Sequence, residues 1–355
     1  MNPLTFYVKN KKKSIAIFVI LLLSVFCISF ITTLIKSVYD TCSEVNISPF
    51  ECFSIVAAKS ADAEVEEIEN FDKVDKVIDG FTLSTSISTV FGTTNSYIVF
   101  SDDIKNIFNL CEFNLSEGYM PSTGANEIVV HESILKNKGL KVGDKMSDFE
   151  IVGSYKGKAK LSLGCMSDEL RESYADGVYS YIVFSSNGEL EAMNKQLSDL
   201  SNKKWEIFTY EKAYESLDDE FSTINIILLL VVIMVSFCLA IAMAALVYSI
   251  YSNRYDEFAI LNAIGYKKRT IKKLILQETI LISFVSWFCG YLLSLAGLSL
   301  ADKHIYADMG QSMSIFTVDS LLYTLLIPFL VVVCTTIPSV WKLSRTDLIN
   351  IVERR

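Results

Sequence analysis

Histidine is almost missing from this chain: of its 355 residues only His131 and His304 carry an imidazole. Neither has companions at metal-ligand spacing, and His131 falls at the end of a strand-like stretch. Histidine-based hydrolysis and zinc chemistry therefore have no support in the sequence. No G-x-x-x-x-G-K-[ST] run occurs, so the chain lacks the phosphate loop that would let it hold a nucleoside triphosphate in that way. The eight cysteines fit no zinc spacing. Cys27, Cys238, Cys289 and Cys334 fall in apolar runs and serve as small apolar residues. Cys42, Cys52, Cys111 and Cys165 lie outside those runs, and Cys42 and Cys52 could pair if their compartment oxidises thiols. No internal repeat and no low-complexity linker interrupts the chain.

Long apolar runs, by contrast, are abundant. Half the chain is apolar (51%), and those residues cluster. Ser14–Ile35, Ile224–Tyr251, Leu274–Ala301 and Val318–Trp341 each exceed the roughly 20 residues needed to cross a hydrocarbon core about 30 Å thick. Unbroken runs of this length span as helices, because only a helix satisfies its own backbone in lipid. Lys9, Lys11, Lys12 and Lys13 precede the first run. Arg254, Lys267, Lys268, Arg269, Lys272 and Lys273 lie between the second and third, and Lys342, Arg345, Arg354 and Arg355 follow the fourth. The loop from Asp302 to Thr317 has Lys303 alone. The basic segments are thus predicted on the cytoplasmic side, with both termini inside. The first run is too long for a signal peptide and no small-residue cleavage site follows it, so an uncleaved anchor is expected.

The predicted fold class is membrane α-helical, with four transmembrane helices and an extracytoplasmic mixed α/β domain inserted between helices 1 and 2. The expected divisions are a cytoplasmic amphipathic segment 1–13, helix 14–36, an external domain 37–222, helix 223–252, a cytoplasmic helix and loop 253–270, helix 271–301, a short external loop 302–317, helix 318–341 and a cytoplasmic tail 342–355. The external segment carries 16 Lys and Arg against 33 Asp and Glu, a solvated acidic surface or one that attracts cations. Within it, Phe50–Lys59, Lys76–Gly92, Asn95–Ser101, Glu127–His131, Phe149–Gly157, Gly177–Ser185 and Lys204–Tyr210 read as strands. Residues 61–71, Asp102–Leu110 with an Asp cap, Glu132–Lys138 closed by Gly139, and Asn187–Leu200 read as helices. Glu211–Phe221 reads as a helix that continues unbroken into the second span.

The stretch "NRYDEFAILNAIGYKKRTIKKLILQETI", Asn253–Ile280, joins two spans. Phe258, Leu261 and Ile264 recur at three-residue steps beside Ala259 and Ile260, which predicts a short helix with one apolar stripe. Gly265 suits a left-handed C-terminal cap, and the basic cluster after it suits anionic headgroups. Ser283, Ser286, Gly290, Ser294 and Gly297 mark a close-packing face on the third span, with a dimer contact as one use. Glu278 is expected to pair with Lys273 or another cytoplasmic cation, and Pro328 to kink the fourth span.

Glu257 to Gly265 resembles the "E-x-[GA]-[IV]-L-x-A-[IL]-G" signature of the FtsX-like permease family. Gly118–Gly153 resembles the core of a MacB-type periplasmic domain. Pro338–Val352 is similar to the family's ending, with Leu348 in place of the usual Pro, and "LTFYVKNKKKS" resembles the short helix before the first span. The resemblance implies a non-catalytic ABC transporter permease of the mechanotransmission type in a bacterial cell membrane. It implies dimerisation with an identical or different permease, and a separate ABC ATPase subunit that binds the ATP. This chain would then need no cofactor of its own. It implies a coupling helix with Arg254, Glu257, Leu261, Gly265 and Lys268 as the ATPase-coupling positions; Asn262 departs from the basic residue usual there. The implied substrate is amphiphilic: a peptide, an antibiotic or a lipid-linked molecule. The alternative is signalling to an external cell-wall hydrolase or sensor without transport. Membrane lipids are expected partners, an external hydrolase, adaptor or peptide is a candidate, and nucleic acid is not.

Overall fold

A computed structural model describes residues 11–59, 65–174, 177–200 and 204–345. Most of segment 1–13 and of tail 342–355 lies outside these residues. The chain divides into two units: Met1–Ile35 with Thr223–Leu300 and Ser314–Arg355, and Lys36–Ser222 with Ala301–Met313.

The second unit is built on one mixed sheet, and its strands form where β-branched and aromatic residues concentrate. In chain order they are β1 Ser54–Ala58, β2 Val74–Thr89, β3 Gly92–Phe100, β4 Asn114–Gly118, β5 Glu127–His131, β6 Lys145–Met146, β7 Phe149–Lys156, β8 Ser162–Cys165, β9 Val178–Ser185 and β10 Trp205–Phe208. The spatial order is β10-β1-β9-β2-β3-β8-β5-β7-β4, with β6 on β7. β2 and β3 form a long hairpin whose tip pairs Thr89 with Gly92. Among the described residues the parallel pairings are β3 with β8 and β5 with β7.

The helices, numbered along the chain, are α1 Lys11–Asn46, α2 Glu66–Glu69, α3 Ile104–Leu110, α4 Glu132–Lys138, α5 Asp168–Ser173, α6 Leu190–Asp199, α7 Tyr210–Ser252, α8 Tyr255–Ala263, α9 Lys268–Ala301 and α10 Val318–Arg345. α4 ends as expected at Gly139, left-handed at φ 65°. Its start was not foreseen: the His131 imidazole caps it, Nδ1 accepting from the Ser133 amide at 3.2 Å. Asp103 stands at the N-cap position of α3 but does not cap it. Its carboxylate instead accepts from Asn106 at 3.0 Å and faces Lys76 at 3.5 Å. The predicted acidic helix 61–71 is limited to α2 among the described residues. β4, β8 and α5 were not anticipated.

Cys42 and Cys52 do not pair. Every cysteine is a free thiol, and Cys52 faces Cys111 rather than Cys42. Inside this unit the end of α1 packs on the start of α7 through Cys42, Ile47, Leu217 and Phe221, and the rings of Tyr39 and Phe221 meet edge to face at 5.1 Å.

Among the described residues, four helices are long and apolar enough to cross a membrane: those at Lys11–Asn46, Tyr210–Ser252, Lys268–Tyr306 (α9 with the π-turn that extends it) and Val318–Ser344. One core draws on all four, with Leu21 and Val25 from α1, Ala240 and Met243 from α7, Ile275 from α9 and Ile327 from α10. Outward, α7 leaves Ile226, Ile227, Leu230, Met234, Phe237 and Ile241 exposed. That continuous apolar surface belongs against lipid or another apolar partner. Pro328 and Pro338 both lie inside α10.

Candidate functional site

α7 ends at Ser252 and α8 begins at Tyr255, so the chain turns within two residues. Arg254 stands at the turn. Its Nη1 donates to Glu278 Oε2 at 2.8 Å, its Nη2 to Glu278 Oε1 at 3.4 Å, and its Nε to Glu257 Oε2 at 3.1 Å. Tyr251 Oη donates to the same Glu278 Oε2 at 3.2 Å. The guanidinium also lies over the rings of Phe258 and Tyr251, at 5.1 and 5.6 Å. A carboxylate this buried is tolerated only when paired and hydrogen-bonded, and a guanidinium fork meets both oxygens at once. The end of α7, the start of α8 and the third turn of α9 are thereby tied at one point.

α8 stops by a Schellman motif. Gly265 takes φ 107°, its N–H donates to Asn262 O at 3.0 Å, and the Tyr266 N–H reaches Leu261 O at 3.0 Å. Only glycine enters that conformation without strain, and this accounts for Gly265. The helix therefore has the length expected, but its apolar residues divide differently. Phe258 and Ala259 are buried and Leu261 is packed at the edge of the core, whereas Ile264 is 70% exposed and Ile260 54% exposed. Three-residue steps drift around a helix of 3.6 residues per turn, which carries Ile264 off the buried face. Glu257, 65% exposed at its side chain, shares the outward face with Ile260 and Ile264.

Of the positions carried over by resemblance, Glu257 and Gly265 stand outward, Leu261 and Lys268 are half-buried, and Arg254 is turned inward, its side chain 12% exposed. Glu278 pairs with Arg254, another of the basic residues expected on that side, and not with Lys273. A sequence signal was available, since an arginine between two aromatics seven residues apart is placed to be clasped by both.

The small residues of α9 face α1. A Cβ at Gly290 would lie 2.6 Å from the Leu22 carbonyl oxygen, and one at Gly297 3.4 Å from the Phe26 ring. Ser294 Oγ donates to Ser29 Oγ at 2.9 Å, and Ser29 bonds Ser320 of α10 at 3.0 Å. Ser283 and Ser286 are buried on the same helix. This face is occupied within the chain.

In the outer unit, the stretch after α9 docks on α4 and the hairpin tip. Asn137 Nδ2 donates to Met309 O at 3.0 Å, and Gln311 Nε2 to Ser88 O at 2.6 Å. Gly310, at φ 67°, approaches so closely that a Cβ would lie 2.5 Å from Ser133 O. A cleft of about 580 Å³ opens between β3, β10 and the start of α7, lined by Phe50, Tyr97, Phe208, Thr94, Lys212 and Glu220 among others. Among the described residues no cluster of three or more His, Cys, Asp or Glu could hold a metal ion.

The apolar helices and their exposed faces define a membrane protein. Residues 222–348 match the family described as FtsX-like permease C-terminal. Among solved structures, the chain is similar to the periplasmic region of MacB from Actinobacillus actinomycetemcomitans, at 10% identity and a TM-score of 0.29, over 50% of this chain and 95% of that one. It is similar also to the extracellular domain of the noncanonic ABC-type transporter YknZ from Gram-positive bacteria, at 10% identity and a TM-score of 0.28, over 44% of this chain and 100% of that one. No curated protein matches the chain.

Proposed function

We propose that this chain is the permease subunit of an ABC-type transporter, and that a separate ATPase drives it by pushing on α8. The observation that carries the reading is the anchoring of α8. Arg254 and Glu278 lock its N-cap to two long helices, while Ile260 and Ile264 stand exposed on its outer face beside Glu257, whose carboxylate reaches Arg254 Nε and is otherwise turned outward. A partner that seats on those three residues moves α7 and α9 together. α7 runs 43 residues without a break, roughly 65 Å at about 1.5 Å per residue. Displacement at its inner end is therefore delivered to residues 210–221 of the outer unit.

The chemistry of the outer cleft, aromatic on one side and hydroxyl- and charge-bearing on the other, suits an amphiphilic cargo such as a peptide or a lipid-linked molecule. ATP is bound by the partner, and this chain is not itself a catalyst. A second permease chain completes the assembly, with the exposed apolar face of α7 as a contact.

Cross-linking tests the docking surface. With Ile264→Cys in an otherwise unchanged chain, a thiol-to-amine cross-linker applied to inside-out vesicles should join it to an ATPase subunit, and Glu257→Cys should do the same. A Cys placed at Ile226, on the apolar face of α7, should not. Equal yields at all three positions would defeat the assignment.

A further inference from the structure

Four cysteines lie in the outer unit, and the fold sets two of them against each other. Cys52 closes the 3-10 turn Ser48–Glu51, its N–H on Pro49 O at 3.3 Å, just before β1. Cys111 is the C-cap of α3, its N–H on Ile107 O at 3.0 Å. The two residues are 59 positions apart in sequence, yet their thiols lie side by side. Both pack on one core with Phe50, Ile107 and Phe113. Cys111 is buried, whereas Cys52 is reached by solvent. Cys42 and Cys165 have other neighbours: Cys42 lies beside Thr94, and Cys165 donates to Ser101 O at 3.4 Å.

We propose that Cys52 and Cys111 form a redox pair that closes into a disulfide by exchange with a low-molecular-weight disulfide outside the membrane. The asymmetry of the site assigns the roles. The neighbouring Cys111 holds the Cys52 thiol below its ordinary value, aided by the charge of Lys158 and opposed by burial and the charges of Glu51 and Glu112. Cys111 is pushed up by the contact with Cys52 and by burial. Cys52, the thiol that solvent reaches, is the one a small disulfide meets, so it is the attacking thiolate and the buried Cys111 the resolving thiol.

In the first step the Cys52 thiolate attacks R–S–S–R, a sulfur–sulfur bond forms at Cys52, and RS⁻ leaves and takes up a proton. In the second, Cys111 gives its proton to water and attacks the Cys52 sulfur, forming the Cys52–Cys111 bond and expelling the second RS⁻, which is protonated in turn. The two thiols lose two electrons and two protons, and the small disulfide gains them as two thiols. The product fixes the segment that follows α1 to the end of α3 and closes a loop holding β1, β2 and β3. It would stiffen the root by which α1 enters the outer unit.

The proposal rests on residues 37–222 lying outside, and a membrane-impermeant maleimide on intact cells tests that placement separately. The exchange itself is tested on the purified full-length chain with oxidised glutathione, followed by alkylation and non-reducing peptide mapping. The expected result is one linked peptide pair, Cys52 with Cys111. Cys111→Ser should instead trap glutathione on Cys52, and Cys52→Ser should leave Cys111 unmodified. Cys111→Ala serves as a second version of the trap should the serine disturb the core. Full alkylation of both cysteines after oxidation, a Cys42–Cys52 peptide, or no adduct in either Cys111 variant would overturn the proposal.

Discussion

Arg254 meets Glu278 through two N–H donors, at 2.8 and 3.4 Å, in a site almost closed to solvent. Removing one member of such a pair leaves an uncompensated buried charge and costs about 3–5 kcal/mol. Arg254→Ala and Glu278→Ala should therefore lower the thermal midpoint of the detergent-solubilised chain sharply. Arg254→Lys, which keeps charge and loses the fork, should fall between them and the unaltered protein. Midpoints for both alanine variants equal to that of the unaltered chain would show that the pair does not hold α8 to α9.

The two glycines of α9 should respond differently to the same change. Gly290→Ala drives a methyl into the Leu22 backbone at 2.6 Å and must part α1 from α9. Overpacking of that kind costs about 1–3 kcal/mol. Gly297→Ala meets the rings of Phe26 and Phe30 at 3.4 and 3.6 Å, ordinary contact distances, and should be nearly neutral or stabilising. Thermal melts of the two variants side by side decide it, and the reverse order would contradict the packing described.

Asn137 joins three backbone groups: it accepts from Ser88 N–H at 3.0 Å and donates to Ser88 O at 2.9 Å and Met309 O at 3.0 Å. Asn137→Ala should loosen residues 305–313 at about 0.5–1.5 kcal/mol for each bond lost. Gly310→Val should release them fully, because both φ 67° and the Ser133 carbonyl forbid a side chain there. Hydrogen exchange across that stretch should rise in both variants, more in the second.

His131 makes the outer unit acid-sensitive. Burial and the nearby charge of Lys160 hold its imidazole below its ordinary value, and the neutral ring accepts from the Ser133 amide while donating from Nε2 to Gly157 O at 3.3 Å. The unfolded chain then binds the proton more readily than the folded one. This contribution is thus complete above pH about 6.5 and is lost as pH falls toward the folded value. His131→Asn, which can still cap α4, should flatten the slope of stability against pH below about 6.5. Denaturant titrations at several pH values measure that slope, and an unchanged slope would exclude His131 as its source.

Much of this architecture is legible in the residues. Four apolar runs, basic flanks and a one-face helix ended by Gly265 predict the long helices and α8, because lipid-length hydrophobicity and glycine caps are local signals. β5 and α4 are equally local, and their predicted ends hold at His131 and Lys138. Asn114–Gly118 is exposed throughout and offers no alternation to read, and Ser162–Cys165 is buried throughout and too short for any period to appear. What the sequence concealed were partners distant along the chain. Glu278 finds Arg254 rather than Lys273, Cys52 finds Cys111 rather than Cys42, and Gly290 faces Leu22 of α1. Each depends on how elements pack, which spacing along one element does not encode.

The central claim is that energy enters at the outer face of α8, and ATP hydrolysis measures it most directly. The chain is purified from its own membrane and assayed for hydrolysis of magnesium-ATP, unaltered and with Ile260→Asp and Ile264→Asp together. Both residues are exposed, so the variant should retain its fold. The account predicts hydrolysis in the unaltered preparation and its loss from the variant at equal amounts of chain. Equal hydrolysis in the two would contradict it.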